Sequence, residues 1–216
     1  MNNRVLGLIV GAGLVGCGEK AQEVRNATNA LQAVAQAGGS MADTQKEAEK
    51  FYNERRARGD TVAMAYSELQ TFLPSPPSDY TAVEAPGGSS QSMGVFSMSQ
   101  TEQTFTKPAG ADGSVPTIEV SIVDFGGTQA AYGMMALPMM MNLSQEDARH
   151  RMKTIKVSTP HTWGTEEYNK EDHTSKVSLV TRFRYLINVE VRSHGEDKTG
   201  MAKDLAEDIA KKFEGK

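Results

Sequence analysis

The sequence predicts an α+β domain, an antiparallel sheet with helices on one face, preceded by an amino-terminal signal peptide and a helical stalk. Three observations carry this. From Val177 to Val191 every odd position except Thr181 is bulky and apolar, including Leu179, Phe183, Tyr185, Ile187 and Val189. The even positions hold Ser178, Arg182, Arg184, Asn188 and Glu190. Period-two alternation of this kind marks strands buried on one face. Ile118, Val120 and Ile122 alternate with Glu119 and Ser121 in the same way. After Thr199, the residues Met201, Leu205, Ile209 and Phe213 recur at helical spacing, with Lys211 and Lys212 at the negative end of the helix dipole. Strands, a helix, more strands and a closing helix lack the strict alternation of a parallel sheet.

The totals bound the rest. The chain has 216 residues, 38% hydrophobic and 23% charged, with a formal net charge of -4. That length suits one domain with extra segments, or two small domains. A mildly acidic balance without a Lys/Arg cluster argues against a nucleic-acid partner, whose phosphates must be neutralised. No run reaches the roughly 18 apolar residues of a membrane-spanning helix. The single cysteine removes an internal disulfide framework and any cysteine-rich metal site.

That cysteine closes the first notable segment. Met1-Asn2-Asn3-Arg4 carries one positive charge, Val5 to Gly16 is free of charge, and Leu14-Val15-Gly16-Cys17 ends the run. A basic start, a 7–15-residue apolar core and a small residue at the cut describe a secretory signal peptide. Because the small residue directly precedes a cysteine, the segment resembles the bacterial lipoprotein signal. Leu14, Val15 and Gly16 fill its lipobox, and Cys17 is the residue it requires. The resemblance covers these seventeen residues alone. It implies cleavage between Gly16 and Cys17, a diacylglyceryl group on the thiol, and acylation of the new amino terminus. One acyl chain binds a membrane marginally, whereas two or more hold it at about 0.8 kcal/mol per buried methylene. Gly18, in place of Asp, favours the outer membrane of a Gram-negative host under the family pattern. The expected location is therefore lipid-anchored and periplasm-facing, with no cofactor beyond the covalent lipid.

Gly11-Ala12-Gly13-Leu14-Val15-Gly16 also spells G-x-G-x-x-G, the dinucleotide fingerprint. That fold needs a second strand and an acid about 20 residues further on to hold the ribose. Residues 34–42 (VAQAGGSMA) supply neither. The lipobox is the stronger reading.

The mature chain divides into residues 17–60, a lipidated cysteine with a polar helical stalk; residues 61–94, a Pro/Gly/Ser-rich connection; and residues 95–216, the α+β domain. Val24, Ala27, Leu31 and Val34 give a thin helical stripe that ends at Gly38-Gly39-Ser40. A second helix runs from about Asp43 to Arg58, rich in charge pairs, with Phe51 and Tyr52 its only large apolar residues. Tyr66 to Leu73 is a short apolar piece stopped by Pro74. From there to Gly94 the composition reads as loop. Val95, Phe96 and Met98 open a strand toward Phe105, and Gly126-Gly127 turns the chain after the strand of Ile118. Thr128 to Met141 reads as an Ala/Met-rich helix kinked at Pro138, and Asn142 to Arg151 as a short helical turn capped by Ser144. The alternating stretch 177–191 exceeds a usual strand, which predicts a turn near Thr181–Arg184.

Chemistry-bearing residues are sparse. Met134, Met135, Met139, Met140 and Met141 crowd around Pro138. Thioethers bind Cu(I), and the same residues fill cores and apolar grooves, so a copper-binding protein stands as an alternative to packing. His150, His161, His173 and His194 show no helical metal-pair spacing. No Gly-x-Ser-x-Gly occurs, and Gly88-Ser89-Ser90 lies in a low-complexity stretch. Asp124 stands before Gly126-Gly127, where a turn-capping or a catalytic carboxylate fits. A small envelope enzyme requires two or more of Asp124, His161, Glu167 and His173 to meet in a cleft. Glu166-Glu167 and Glu171-Asp172 lack a matched partner, and Trp163 and Tyr168 suit core packing or stacking on a ligand. The expected function is non-catalytic binding on the envelope, with membrane lipid as one partner and an envelope protein as a possible second.

Overall fold

The computed structural model describes residues 43, 45–93, 96–110, 113–127 and 144–215. The lipobox, Cys17, the first stalk helix and the five clustered methionines lie outside them. The described part falls within the contact unit Ser40–Lys216. Its elements are α1 (residues 45–57), α2 (Tyr66–Leu69) running into a 3-10 turn (Gln70–Phe72), β1 (Thr81–Ala82), β2 (Gly87–Met93), β3 (Phe96–Thr106) and β4 (Thr117–Asp124). There follow β5 (Ser144–Glu146), β6 (His150–Ile155), β7 (Thr162–Asn169), β8 (Thr174–Thr181), β9 (Tyr185–Arg192) and α3 (Thr199–Lys211).

The strands form one nine-stranded sheet in the order β1-β3-β4-β9-β8-β7-β6-β5, with β2 also on β3. Every pair is antiparallel. Neighbours in sequence are neighbours in the sheet except that β1 and β2 both pair with β3 and that β4 lies beside β9, not β5. The connection from β4 to β5 at the far edge includes residues 128–143, outside the described set.

Register explains the core. Val120 faces Val189, which faces Val177; Ile122 faces Ile187, which faces Leu179. These six side chains lie on one face and are at most 1% exposed. α3 closes that face over β7, β8 and β9 through Ala202, Ala206, Ile209 and Ala210. Small alanines let the helix approach closely, and Phe213 just beyond it stacks on Phe72 at 4.2 Å and on Tyr185 at 4.1 Å. Leu69 and Phe72 bring the α2 region into the same cluster.

Above β3 the cover is polar. Ser97, Ser99, Thr101 and Gln103 are buried on the covered face. The Ala63 N–H donates to Ser97 Oγ, Ser99 Oγ to the Met64 carbonyl, Thr101 Oγ1 to the Gly87 carbonyl and Gln103 Nε2 to the Glu84 carbonyl. Side chains here supply the partners that the overlying irregular backbone lacks.

The turn expected near Thr181–Arg184 is present between β8 and β9. Two expectations need correction. The stretch Gly87–Met93, expected as loop, is a strand held to β3 through seven register pairs; a fully exposed edge strand carries no hydropathy signal. Residues 142–151, expected as a helical turn, contain β5 and the start of β6. Asp147 there accepts the N–H groups of Arg149 and His150 and makes the hairpin turn instead of a helix cap. The helix expected from about Asp43 to Arg58 is present over residues 45–57, where Phe51 meets Phe183 at 5.6 Å and Arg55 donates to the Arg182 carbonyl.

Candidate functional site

The residue with the strongest enzymatic claim, Asp124, has a structural task. It ends β4 with no exposed surface. Its Oδ1 accepts the Gly126 N–H at 2.8 Å and Arg184 Nε at 2.7 Å; its Oδ2 accepts the Met64 N–H at 2.8 Å and Arg184 Nη2 at 2.9 Å. Arg184 further donates to Asp60 and to the Val62 carbonyl. Burial alone would lower the Arg184 pKa, but the bonded, oppositely charged Asp124 outweighs it and raises that pKa above the ordinary range. Beside it, burial pushes the Tyr185 phenol up, and the Arg184 charge offsets this only in part. The cluster joins β4, β9 and the 60–64 segment. The turn-capping reading of Asp124 holds, through Gly126.

The other expected partners are dispersed. His161 binds Glu47 of α1 at 2.6 Å, His150 binds Glu167 at 2.6 Å, and His173 pairs with the Tyr168 hydroxyl at 3.2 Å. His194 contacts Ser114 across two loops. Glu166 pairs with Lys153 at 2.9 Å, and Glu171 with Arg149 at 3.0 Å. None of these contacts brings two of Asp124, His161, Glu167 and His173 together. Trp163 packs on Phe183 at 4.6 Å, and Tyr168 is buried beneath Arg151. Among the described residues no three His, Cys, Asp or Glu side chains converge as a metal site.

Among the described residues, the second face of the sheet is the less covered one. Across it run an apolar row, Val123, Leu186, Val180 and Trp163, and a polar row, Ser121, Asn188, Ser178 and Thr165. Ser178 Oγ donates to Asn188 Oδ1 at 2.8 Å, and Asn188 Nδ2 reaches Ser121 Oγ at 3.4 Å. Where β2, β3 and β4 lie side by side, a groove of about 290 Å³ opens, lined by Gly88, Ser89, Gln100, Thr101, Glu102, Ser121 and Val123. Gly88 permits a close approach: a Cβ there would stand 2.8 Å from the Gln100 carbonyl oxygen and 2.8 Å from the Tyr66 ring. Hydroxyls, an amide and one carboxylate suit a polar ligand that both donates and accepts hydrogen bonds. The sequence pointed to none of these residues, because a groove of Gly, Ser, Gln and Glu looks in sequence like an ordinary solvated edge.

The described chain is thus an antiparallel sheet backed by helices on one face, with a polar groove on the other. No protein-family model and no curated protein sequence matches it. Among solved structures it is similar to the extracellular domain of PknH from Mycobacterium tuberculosis, at 10% identity over 72% of this chain and 100% of that one, with a TM-score of 0.45. A likeness of that size carries no functional argument. Among the described residues no helix is long and apolar enough to cross a membrane.

Proposed function

We propose that this chain is a lipid-anchored, non-catalytic binding protein of the bacterial cell envelope. It is cut between Gly16 and Cys17, held by acyl chains on Cys17, and presents the open face of its sheet to a polar ligand or partner. In a Gram-negative host the outer membrane is the favoured site, facing the periplasm. The observation that carries the binding role is the unequal treatment of the two sheet faces: one is sealed by α2, α3 and the 60–73 segment, while the other holds the 290 Å³ polar groove. The engagement of Asp124, His150, His161 and His173 in structural contacts supports a non-catalytic role. The lipobox Leu14-Val15-Gly16-Cys17 supports the anchor. Two acyl chains suffice for stable attachment without a spanning helix.

The test of this reading is the mass of the amino-terminal peptide of the full-length chain, recovered from fractionated cells of a lipoprotein-processing host. A membrane-bound protein whose first residue is a diacylated or triacylated Cys17 is the expected result. An intact, unmodified Met1 on protein in the soluble fraction overturns it.

A further inference from the structure

Four arginines crowd one end of the sheet, where α1 meets the β8–β9 turn. Arg55, Arg58, Arg182 and Arg184 line a cleft of about 10 Å³ with Phe51 and Tyr185. That is the room of a single water or one ligand oxygen. Arg184 is neutralised by Asp124 and Asp60. Two of the others are not. Among the described residues Arg58 and Arg182 form no ion pair: the Arg182 guanidinium donates to the Glu214 carbonyl and lies 5.4 Å over the Phe51 ring, and Arg58 is exposed. The nearby carboxylates are engaged elsewhere, Glu47 with His161 and Glu54 with Lys50.

Three features show that the arrangement is held in place. Arg182 and Phe183 both adopt positive φ, 53° and 51°. For side chains of this size that conformation is strained and persists only when the surroundings enforce it. Phe183, 2% exposed between Phe51 and Trp163, is the enforcing anchor. Its burial fixes Arg182 on one side of the turn and Arg184 on the other. Beneath them Arg55 is 6% exposed and donates to the Arg182 carbonyl, so a third guanidinium is fixed against the turn. Near the α1 carboxyl end the carbonyls of Glu54, Arg55 and Arg56 accept the N–H groups of Arg58, Gly59 and Asp60.

The geometry points to an anion site in this cleft, in which Arg58 and Arg182 clamp a phosphate group that places one oxygen between them over Arg55. Guanidinium pairs match phosphate oxygens in charge and in donor geometry. The group is either a soluble phosphate or the headgroup of an anionic lipid. The site stands whether or not Cys17 is acylated, so its failure and the failure of the anchor are separately visible.

The test uses the full chain with Cys17→Ser, purified, titrated with inorganic phosphate by calorimetry, and sedimented with vesicles of phosphatidylcholine alone or mixed with phosphatidylglycerol. Arg58→Gln and Arg182→Gln are compared with Arg56→Gln, which lies outside the cleft, and thermal unfolding confirms that each variant folds. Saturable phosphate binding, weakened about tenfold by each cleft variant and unchanged by Arg56→Gln, establishes the site with a soluble ligand. Sedimentation with phosphatidylglycerol vesicles only, lost in Arg58→Gln, establishes it with a lipid headgroup. Absence of binding to both probes, or binding that the two cleft variants leave unchanged, overturns it.

Discussion

The two faces of the sheet are made by the same strands and differ only in which residues of each strand point which way. On the covered face, Val177, Leu179, Ile187 and Val189 belong to strands that α3 packs on, and together with Ile118, Val120 and Ile122 they vanish from solvent. On the open face, their immediate neighbours Glu119, Ser121, Ser178, Asn188 and Glu190 stay in contact with water. Folding stability is concentrated on the first face, and most side chains of the second contribute less to it. In β3 the rule bends, because the covered positions are Ser97, Ser99, Thr101 and Gln103 and the cover is backbone.

The contrast can be broken most severely at the junction of the covered face with its cover. Asp124→Ala leaves the Arg184 guanidinium buried and strips the Met64 and Gly126 N–H groups of their acceptor. We expect a loss of about 3–5 kcal/mol in urea unfolding. Ile187→Ala, on the covered face, should cost about 2–5 kcal/mol. Gly164→Ala should follow: an added Cβ would stand 2.3 Å from Leu179 Cδ2 and 2.7 Å from the Ser178 carbonyl oxygen, so β7 and β8 must shift. The expected cost is about 1–3 kcal/mol. Asn188→Ala, one residue from Ile187 but on the open face, should cost about 1 kcal/mol, the net worth of its hydrogen bonds to Ser178 and Ser121. Equal losses for Ile187→Ala and Asn188→Ala would refute the division of labour.

A subtler probe lies at the start of α3. Burial alone would raise the Asp197 pKa, but bonds from the Thr199 N–H and hydroxyl and from the Arg151 guanidinium win and hold it below the ordinary value. A depressed carboxylate stabilises the fold above the unfolded value of about 4 and loses that contribution as pH falls through the folded value. Asp197→Asn should therefore lower the Tm at pH 7, and its Tm should converge with that of the unmodified chain as acidity increases below pH ~4. A gap that widens on acidification would reverse the assigned sign.

Much of this was readable from sequence where apolar alternation was strong. β4, β8, β9, the turn between the last two and α3 all follow from the positions of Ile, Val, Leu and Phe. β3 was found as a strand, yet its apolar markers Phe96 and Met98 lie on the open face and its buried set is mostly Ser, Thr and Gln. A polar cover inverts the hydropathy signal. β2 is exposed at all seven positions, and the buried interior of β7 includes Gly164 and Glu166, so neither pattern stands out. Asp124 was legible as a turn cap through Gly126, two residues away. Its pairing with Arg184, sixty residues distant, leaves no local trace. The groove residues Ser89, Gln100 and Glu102 were illegible for the same reason: only the register of three paired strands brings them together.

The most direct measurement of whether the open face is the working face is site-specific photo-cross-linking in intact cells expressing the full-length protein. One probe replaces Gln100 in the groove and the other replaces Asp208, exposed on α3. The account predicts a reproducible envelope adduct from position 100 and none from position 208. An adduct from position 208 alone would move the binding surface to the helical side and contradict it.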